Sequence, residues 1–317
     1  MNLRIGSRGS QLALWQANHI AALVRGQGHS VEIEIIKTTG DRLQEVTFAQ
    51  VGSKGMFTKE IEEALAEGRI DLAVHSLKDL PTELPEPFAL AATPPRVDPR
   101  DVIVSVKFWS FRELPQGARV GTSSQRRRAQ LKALRPDIEA IEFRGNVDTR
   151  LRKLAEGQVD AILLAAAGLD RLAKTEWVRE RLEPKDFCPA AGQGSLGIET
   201  RKGDTATMGA IAFLDDADTR FAVTAERSAL AALGGGCQVP IGIHCRPASG
   251  QAVGDKAELW NEIFAVVADP ETGSAVRIFH RAPRADSDPV ALGRLAARKL
   301  IEAGAGPLLE AAGGVGR

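Results

Sequence analysis

Tyrosine is absent from this chain of 317 residues, and cysteine and histidine are scarce, with three and five copies. The cysteines, Cys188, Cys237 and Cys245, are odd in number, and none stands in a Cys-x-x-Cys spacing. Disulfide frameworks use paired cysteines, and zinc sites use closely spaced Cys and His, so the sequence indicates neither. We expect no bound metal, and no tyrosine can contribute to binding.

The chain also has no net charge, because 41 Lys and Arg balance 41 Asp and Glu. A nucleic-acid partner requires a basic surplus, so we expect none. The first ten residues contain no apolar signal core, and no apolar run is long enough to span a bilayer. We therefore expect a cytoplasmic protein without membrane contact, and, since no exposed apolar stripe stands out, a monomer.

Positive charge is nevertheless concentrated between residues 119 and 153, where ten Lys and Arg accompany four Asp and Glu. Arg126 and Arg127 open one predicted helix, and Arg144 and Arg150 flank the turn before another. Cations at a helix N-terminus oppose its macrodipole unless an anion also lies there. Together with Arg8 in the first Gly/Ser turn, they predict a pocket for a phosphate or a polycarboxylate.

One predicted strand, over residues 70–74, runs into the sequence His-Ser-Leu-Lys-Asp that ends at Asp79. Ligands of α/β sheets lie beyond the carboxyl ends of strands, where these side chains are expected. The pattern alone leaves Asp79 open between a catalytic group and a turn residue. It favours a surface or salt-bridging role for Lys78 over a Schiff base, and a packed core role for His75.

Similar βα units recur along the chain, since residues 65–74 resemble residues 154–163. They predict two α/β lobes joined by a proline-rich hinge over 81–99 and a loop-rich crossing over 184–197. Within that crossing, Gly192 to Gly197 matches G-x-G-x-x-G, but no strand precedes it, so a backbone hinge explains the glycines better than a dinucleotide site. The composition after residue 219 predicts a small α+β domain.

Several finer elements are predicted in this last part of the chain. A helix is expected over 222–233, a glycine-rich loop over 233–242, strands over 259–267 and 275–280, and a helix over 289–303. The predicted domains are 1–95 with 195–215 as the first lobe, 100–190 as the second lobe and 218–317 as the C-terminal domain.

Cys237 differs from the other two cysteines because three glycines precede it and Gln-Val-Pro follows. A thiol on such a loop could be a nucleophile, an attachment point or only a small residue in a turn. Cys188 and Cys245 lack this setting and are interpreted as packing residues.

Eight segments together resemble the porphobilinogen deaminase (hydroxymethylbilane synthase) family, and the resemblance covers nearly the whole chain. They are RIGSRGSQLALWQ (4–16), VGSKGMFTKE (51–60), AVHSLKDLP (73–81), DPRD (98–101), VGTSSQRR (120–127), FRGNVDTRL (143–151), PAAGQG (189–194) and GGCQVPIG (235–242).

The resemblance implies two periplasmic-binding-protein-like lobes with a cleft between them, and a small C-terminal α+β domain. It implies a dipyrromethane cofactor attached by a thioether to Cys237. Four porphobilinogen units are then condensed onto it with loss of ammonia, and hydroxymethylbilane is released by hydrolysis for tetrapyrrole biosynthesis. By the same resemblance, Asp79 is the catalytic acid, and the polar segment 41–56 corresponds to a mobile lid.

The remaining site residues are also carried over from the family, since each pyrrole ring bears acetate and propionate groups. The cofactor ligands besides Cys237 are Arg126, Arg127, Lys78, Ser124 and Ser76. The substrate ligands are Arg8, Arg144, Arg150, Arg171, Phe57 and Gln16. Two departures from the family pattern are Asp148, where Gly is common, and Gln50, where Lys is common.

Two other functions remain open from the residues alone. A non-catalytic two-lobed binding protein for a small anion would need no Cys237 and carry no covalent group. A nucleic-acid-binding protein would use the arginine-rich segment, but the neutral net charge disfavours it.

Overall fold

A computed structural model describes residues 1–39, 58–235, 239–253, 256–285 and 287–312. The predictions about the lid over 41–56, Gln50, Phe57 and Cys237 fall outside these residues. No helix in the described ranges is long and apolar enough to cross a membrane.

The strands, in chain order, are β1 (Asn2–Ser7), β2 (Ser30–Ile35), β3 (Leu72–Ser76), β4 (Phe88–Ala92), β5 (Asp101–Val104), β6 (Arg119–Gly121), β7 (Glu139–Ile141), β8 (Ala161–Ala165), β9 (Val178–Arg181), β10 (Leu196–Arg201), β11 (Ile241–Val253), β12 (Lys256–Ala268) and β13 (Ala275–Pro283). The helices are α1 (Gln11–Gly26), α2 (Lys59–Ala66), α3 (Gln125–Leu134), α4 (Val147–Ala155), α5 (Ala166–Arg171), α6 (Thr205–Ile211), α7 (Ala217–Ala232), α8 (Pro289–Leu300) and α9 (Gly306–Ala311).

Two five-stranded sheets share one strand arrangement. The first has the order β2-β1-β3-β10-β4 and the second β7-β6-β8-β5-β9. In each, three neighbouring strands are parallel and the fourth is antiparallel, with β10 and β5 taking that place. The chain therefore crosses twice between the sheets, once before β5 and once before β10. The prediction of two α/β lobes is confirmed.

The third sheet, β11-β12-β13, is antiparallel throughout and packs against α7 and α8. These helices approach closely, because a Cβ on Gly293 would lie 2.2 Å from the Ala225 carbonyl oxygen. The predicted small α+β domain is thus confirmed. The domain boundaries given above stay a prediction, and the strands of the three sheets lie within them.

Some predicted elements were wrong in extent. Helix α7 begins five residues earlier than predicted, where the Asp216 carboxylate caps it by accepting from the Thr219 N–H. The predicted loop ends where β11 begins, because Ile241, Ile243 and Cys245 alternate into the core. Helix α8 ends at Leu300 rather than 303, since a π turn with Gly304 at a φ of 96° follows it.

The predicted hinges are shorter than the proline-rich and loop-rich segments, because β4 occupies residues 88–92 and β10 begins at Leu196. Both crossings are fastened to the C-terminal domain through the fully buried Glu226. Its carboxylate accepts from Arg96 Nη1 at 2.6 Å, the Gly192 N–H at 2.6 Å and the Cys245 N–H at 2.7 Å. One side chain thus joins both crossings to β11.

Candidate active site

The predicted strand end is followed by a turn, because the strand does not continue into the Lys78 and Asp79 positions. Strand β3 stops at Ser76, and residues Leu77–Asp79 form a single 3₁₀ turn. Leu77 is buried, and its N–H donates to the Ser195 carbonyl oxygen of the second crossing. The Asp79 side chain is exposed, so solvent and ligands can reach its carboxylate.

Glycine is required where the second crossing approaches this turn. A Cβ on Gly192 would lie 3.3 Å from the Lys78 backbone nitrogen, and one on Gly194 would lie 2.6 Å from the Val97 carbonyl oxygen. Both glycines have a positive φ, 74° and 87°, which a side chain disfavours. The glycine pattern therefore serves close backbone packing of the second crossing against this turn and against the first crossing.

Lys78 points inward from the same turn, and its Nζ lies 3.4 Å from Gln193 Oε1. Burial lowers the pKa of Lys78 to about 8, and Arg127 adds to this while Asp79 opposes it. The structure holds a partly buried amine among charged groups, so the surface position that the pattern allowed is wrong, while the salt-bridging role stays a prediction. Such an amine still carries a proton at neutral pH and can bind a carboxylate.

Asp101, the first residue of β5, is the fully buried anion at the centre of this region. Its carboxylate accepts from Arg126 Nη1 at 2.6 Å, Arg127 Nη2 at 2.7 Å and Gln193 Nε2 at 3.0 Å. Burial by itself would raise the pKa of Asp101, but the charges of Arg126 and Arg127 outweigh it and hold that pKa well below its usual range.

This arrangement corrects one inference from the sequence. The arginines of α3 predicted an external anion at the helix N-terminus, but the anion that they bind in the structure is Asp101 of the same chain. Arg126 and Arg127 are only 5% and 6% exposed, so they support the cleft from behind. Their direct contact with a cofactor stays a prediction.

Two further arginines lie near the turn between β7 and α4. Arg150 donates through Nε to the Gly145 carbonyl oxygen at 2.8 Å, and Arg144 donates through Nε to Glu142 Oε1 at 2.7 Å. Burial lowers the pKa of Arg150 to about 10, and the charge of Arg127 adds to this effect. Among the described residues no carboxylate forms an ion pair with Arg150, so this cation is suited to an anionic ligand.

Arg171 of α5 reaches from the second lobe toward the first. Its Nη2 donates to the Gly194 carbonyl oxygen at 2.9 Å, and its guanidinium carbon lies 5.9 Å from the centre of the Trp15 ring. Burial lowers the pKa of Arg171 to about 10. Within the described part of the chain it has no carboxylate ion-pair partner, and it is the second such cation in the region.

The other predicted ligands have local roles that the structure defines. Gln16 Nε2 donates to Ser76 Oγ at 2.9 Å, which ties α1 to the end of β3. Ser124 caps α3 by accepting from the Arg127 N–H. Arg8 lies partly buried in the loop after β1.

His75 is structural, as predicted. Its Nε2 lies 3.0 Å from Glu199 Oε2 of the neighbouring β10, and both side chains are buried. Reading the sequence missed three residues of the region: Asp101, Gln193 and Glu199. Asp101 and Gln193 both lie in segments that carried the family resemblance. For Asp101, a further signal was an acidic residue at the start of an apolar strand.

Family models match most of the chain. The model described as "Porphobilinogen deaminase, dipyromethane cofactor binding domain" matches residues 3–209, and "Porphobilinogen deaminase, C-terminal domain" matches residues 220–302. The chain belongs to the porphobilinogen deaminase family. The predicted transferase class and the dipyrromethane cofactor are confirmed with it.

Named relatives match between about three quarters and nearly all of the chain. The porphobilinogen deaminase of Trichlorobacter lovleyi is 49% identical over 310 residues, which are 97% of this chain and 96% of the relative. That of Nitratidesulfovibrio vulgaris (strain DP4) is 54% identical over 246 residues, or 77% of this chain and 78% of the relative. The solved methionine-binding protein MetQ aligns at 13% identity and a TM-score of 0.43, covering 69% of this chain and 91% of that one.

The described residues fit the cofactor of a porphobilinogen deaminase. A dipyrromethane carries several carboxylates, and Arg150 and Arg171 are buried cations with lowered pKa values and no carboxylate partner in the described ranges. Lys78 adds a third cation near the exposed Asp79 carboxylate. Cations placed in this way stabilise a ligand with several negative charges.

Proposed function

We propose that this chain condenses four porphobilinogen units, with loss of ammonia, onto a dipyrromethane attached to Cys237, and then releases hydroxymethylbilane by hydrolysis. The observation that carries the proposal is the exposed Asp79 carboxyl near the Lys78 amine, together with two buried cations, Arg150 and Arg171, that form no ion pair with a described carboxylate. We further propose the domain division given above, a cytoplasmic location and a monomer.

Asp79 is proposed to act on the departing amine of the substrate. A carboxylic acid can donate a proton to that amine, and the carboxylate that remains can then stabilise the positive charge left on the pyrrole. Its exposed position at the end of the 3₁₀ turn lets it reach a bound substrate, and the turn is held by the Leu77–Ser195 hydrogen bond. The same carboxyl group thus acts first as a proton donor and then, once ionised, as a stabilising negative charge.

The cations are proposed to hold the acetate and propionate groups. Arg150 and Arg171 are the described residues best placed, because both are largely buried and neither forms an ion pair with a carboxylate of the described residues. Lys78 lies near Asp79 and adds a further cation. Ser76, Ser124, Arg8, Arg144 and Gln16 add contacts, while Arg126 and Arg127 keep the back of the cleft in place. When bound, the dipyrromethane supplies the pyrrole carbon that the first substrate joins.

Intact-mass spectrometry tests the cofactor part of the proposal. The purified chain is expected to exceed its sequence mass by two linked pyrrole units, and peptide mapping should place them on Cys237. A Cys237→Ser variant should carry no added mass and no activity. A bare wild-type chain made with substrate available, together with full activity of Cys237→Ser, would refute the attachment of a cofactor to Cys237. A bare wild-type chain without turnover would support a non-catalytic anion-binding protein instead.

The Asp79 role is tested separately by Asp79→Asn. This variant should still carry the cofactor mass but lose at least a hundredfold in turnover, because a positioned acid typically contributes about 10²–10⁴-fold. Asp137→Asn, which changes a solvent-accessible carboxylate of the second lobe, is the matched control and should keep wild-type turnover. Normal turnover by Asp79→Asn would refute the assignment.

A further inference from the structure

A second cavity lies away from the cleft, on the face of the third sheet that does not pack against α7 and α8. It has a volume of about 530 Å³, within the range of small-molecule sites. We call it the sheet groove. Its lining comes from the second crossing and from β11, β12 and β13: Pro184, Lys185, Cys188, Arg246, Glu262, Phe264, Ala265, Arg277, Ile278 and Phe279.

The floor of the sheet groove is aromatic. Phe264 and Phe279 lie opposite each other on β12 and β13, with ring centres 4.9 Å apart. Phe279 is 54% exposed although it belongs to a regular strand, so its ring is not needed to fill the core. The exposed Phe279 ring, supported by the partly buried Phe264, offers a flat surface on which another planar ring can stack.

The rim of the sheet groove is cationic. Arg246 lies over the Phe264 ring at 5.2 Å and pairs with Glu262, which also accepts from Arg281. That carboxylate is therefore already neutralised. Lys185 and Arg277 form no ion pair with a described carboxylate, and Asp186 acts on Arg277 only at longer range. Two cations thus remain available beside the aromatic floor.

The wall of the sheet groove is held in place before any ligand binds. The Cys188 N–H donates to Gln130 Oε1 at 2.7 Å, and its carbonyl oxygen accepts from Gln130 Nε2 at 2.9 Å and Arg126 Nη1 at 2.7 Å. A fixed wall reduces the ordering cost of binding.

From this combination we propose that the sheet groove binds a small planar aromatic anion, with its ring on Phe264 and Phe279 and its negative group between Arg277 and Lys185. The shared chemistry is an aromatic ring bearing a carboxylate, sulfonate or phosphate. A nucleotide and a tetrapyrrole carboxylate both have it, and the experiment distinguishes them.

The probe is 8-anilinonaphthalene-1-sulfonate, titrated into the full-length cofactor-loaded chain and followed by fluorescence. The wild type should show a saturable site that Phe279→Ala and Arg277→Ala each weaken at least tenfold in Kd. Both side chains are exposed, so the variants should fold, which circular dichroism checks. Phe213→Ala and Arg294→Ala change an exposed phenylalanine and an exposed arginine elsewhere and should keep the wild-type Kd.

Two comparisons complete the test. The neutral analogue N-phenyl-1-naphthylamine should bind the sheet groove at least tenfold more weakly than the sulfonate, and equal affinities would overturn the role of the cations. Displacement of the probe by adenosine monophosphate or by a porphyrin dicarboxylate identifies the ligand class. Wild-type affinity in both groove variants, or displacement by neither competitor, would overturn the proposal.

Discussion

Asp101 is the side chain whose neutralisation we expect to destabilise this protein most. Asp101→Asn keeps the shape of the carboxylate but removes its charge, which leaves Arg126 and Arg127 as two buried cations without a counterion. Removing one partner of a buried ion pair typically costs about 3–5 kcal/mol, because the remaining charge is uncompensated. The asparagine NH₂ group also faces guanidinium donors, so part of the hydrogen bonding is lost.

We therefore expect Asp101→Asn to lower the free energy of unfolding of the second lobe by about 3–5 kcal/mol. Urea denaturation followed by tryptophan fluorescence measures this, since Trp109 and Trp177 lie between residues 100 and 190. Asp137→Asn is the matched control in the same lobe. Asp137 pairs with Arg135 at 2.7 Å but is partly exposed, so its loss should cost less than about 1 kcal/mol.

The comparison between the two asparagine variants tests whether Asp101 is the counterion of Arg126 and Arg127. If both shift the urea midpoint by the same small amount, Asp101 does not compensate Arg126 and Arg127 as the contacts indicate. A large shift for Asp101→Asn alone would show that the centre of the arginine cluster is an internal ion-pair network.

Three further outcomes follow from single contacts. KM for porphobilinogen should rise above about pH 8, where Lys78 loses its proton, and Lys78→Arg should abolish this rise because arginine stays charged. Gly203→Ala, at a φ of 85° with no neighbouring atom in the way, should lower the free energy of unfolding in urea by about 1 kcal/mol. Gly194→Ala has a similar φ but also meets the Val97 carbonyl oxygen, so it should lower this free energy clearly more. Equal losses would contradict the close approach at Gly194. Burial alone would raise the pKa of Glu226, but the charge of Arg96 and the contact with His244 outweigh burial and lower that pKa to about 2. The ionised Glu226 therefore contributes about 3 kcal/mol to the free energy of unfolding above pH 4.5, and this contribution is lost as the pH falls toward 2. In Glu226→Gln the free energy of unfolding should depend less on pH over that range, and an unchanged dependence would contradict the assignment.

Local patterns predicted the parts of this protein that depend on local interactions. The role of His75 followed from its apolar neighbours, and the two lobes followed from repeated βα units. The cations around Arg126 and Arg150 were visible as a charge surplus because they are close in sequence. The resemblance to a family, rather than the spacing, gave Asp79 and Cys237 their proposed roles.

The rest depended on contacts between distant residues. The partner of Arg126 is Asp101, which precedes it by 25 residues and belongs to a strand that runs antiparallel to its neighbours. Strand β11 was hidden because the glycines before it masked the alternation of Ile241, Ile243 and Cys245. The contacts of Glu226 could not be predicted from the sequence, since its three partners come from three separate parts of the chain.

The late position of β10 in the sequence has a consequence for synthesis on the ribosome. Among the described strands, β4 pairs only with β10, and 124 residues separate His75 of β3 from Glu199 of β10. All strands of the second sheet lie between residues 101 and 181, so that sheet can be completed while the first still lacks its inner antiparallel strand. The nascent chain therefore exposes the facing edges of β3 and β4 until residue 201 has emerged. During this period the unpaired strand edges are most open to pairing with another chain.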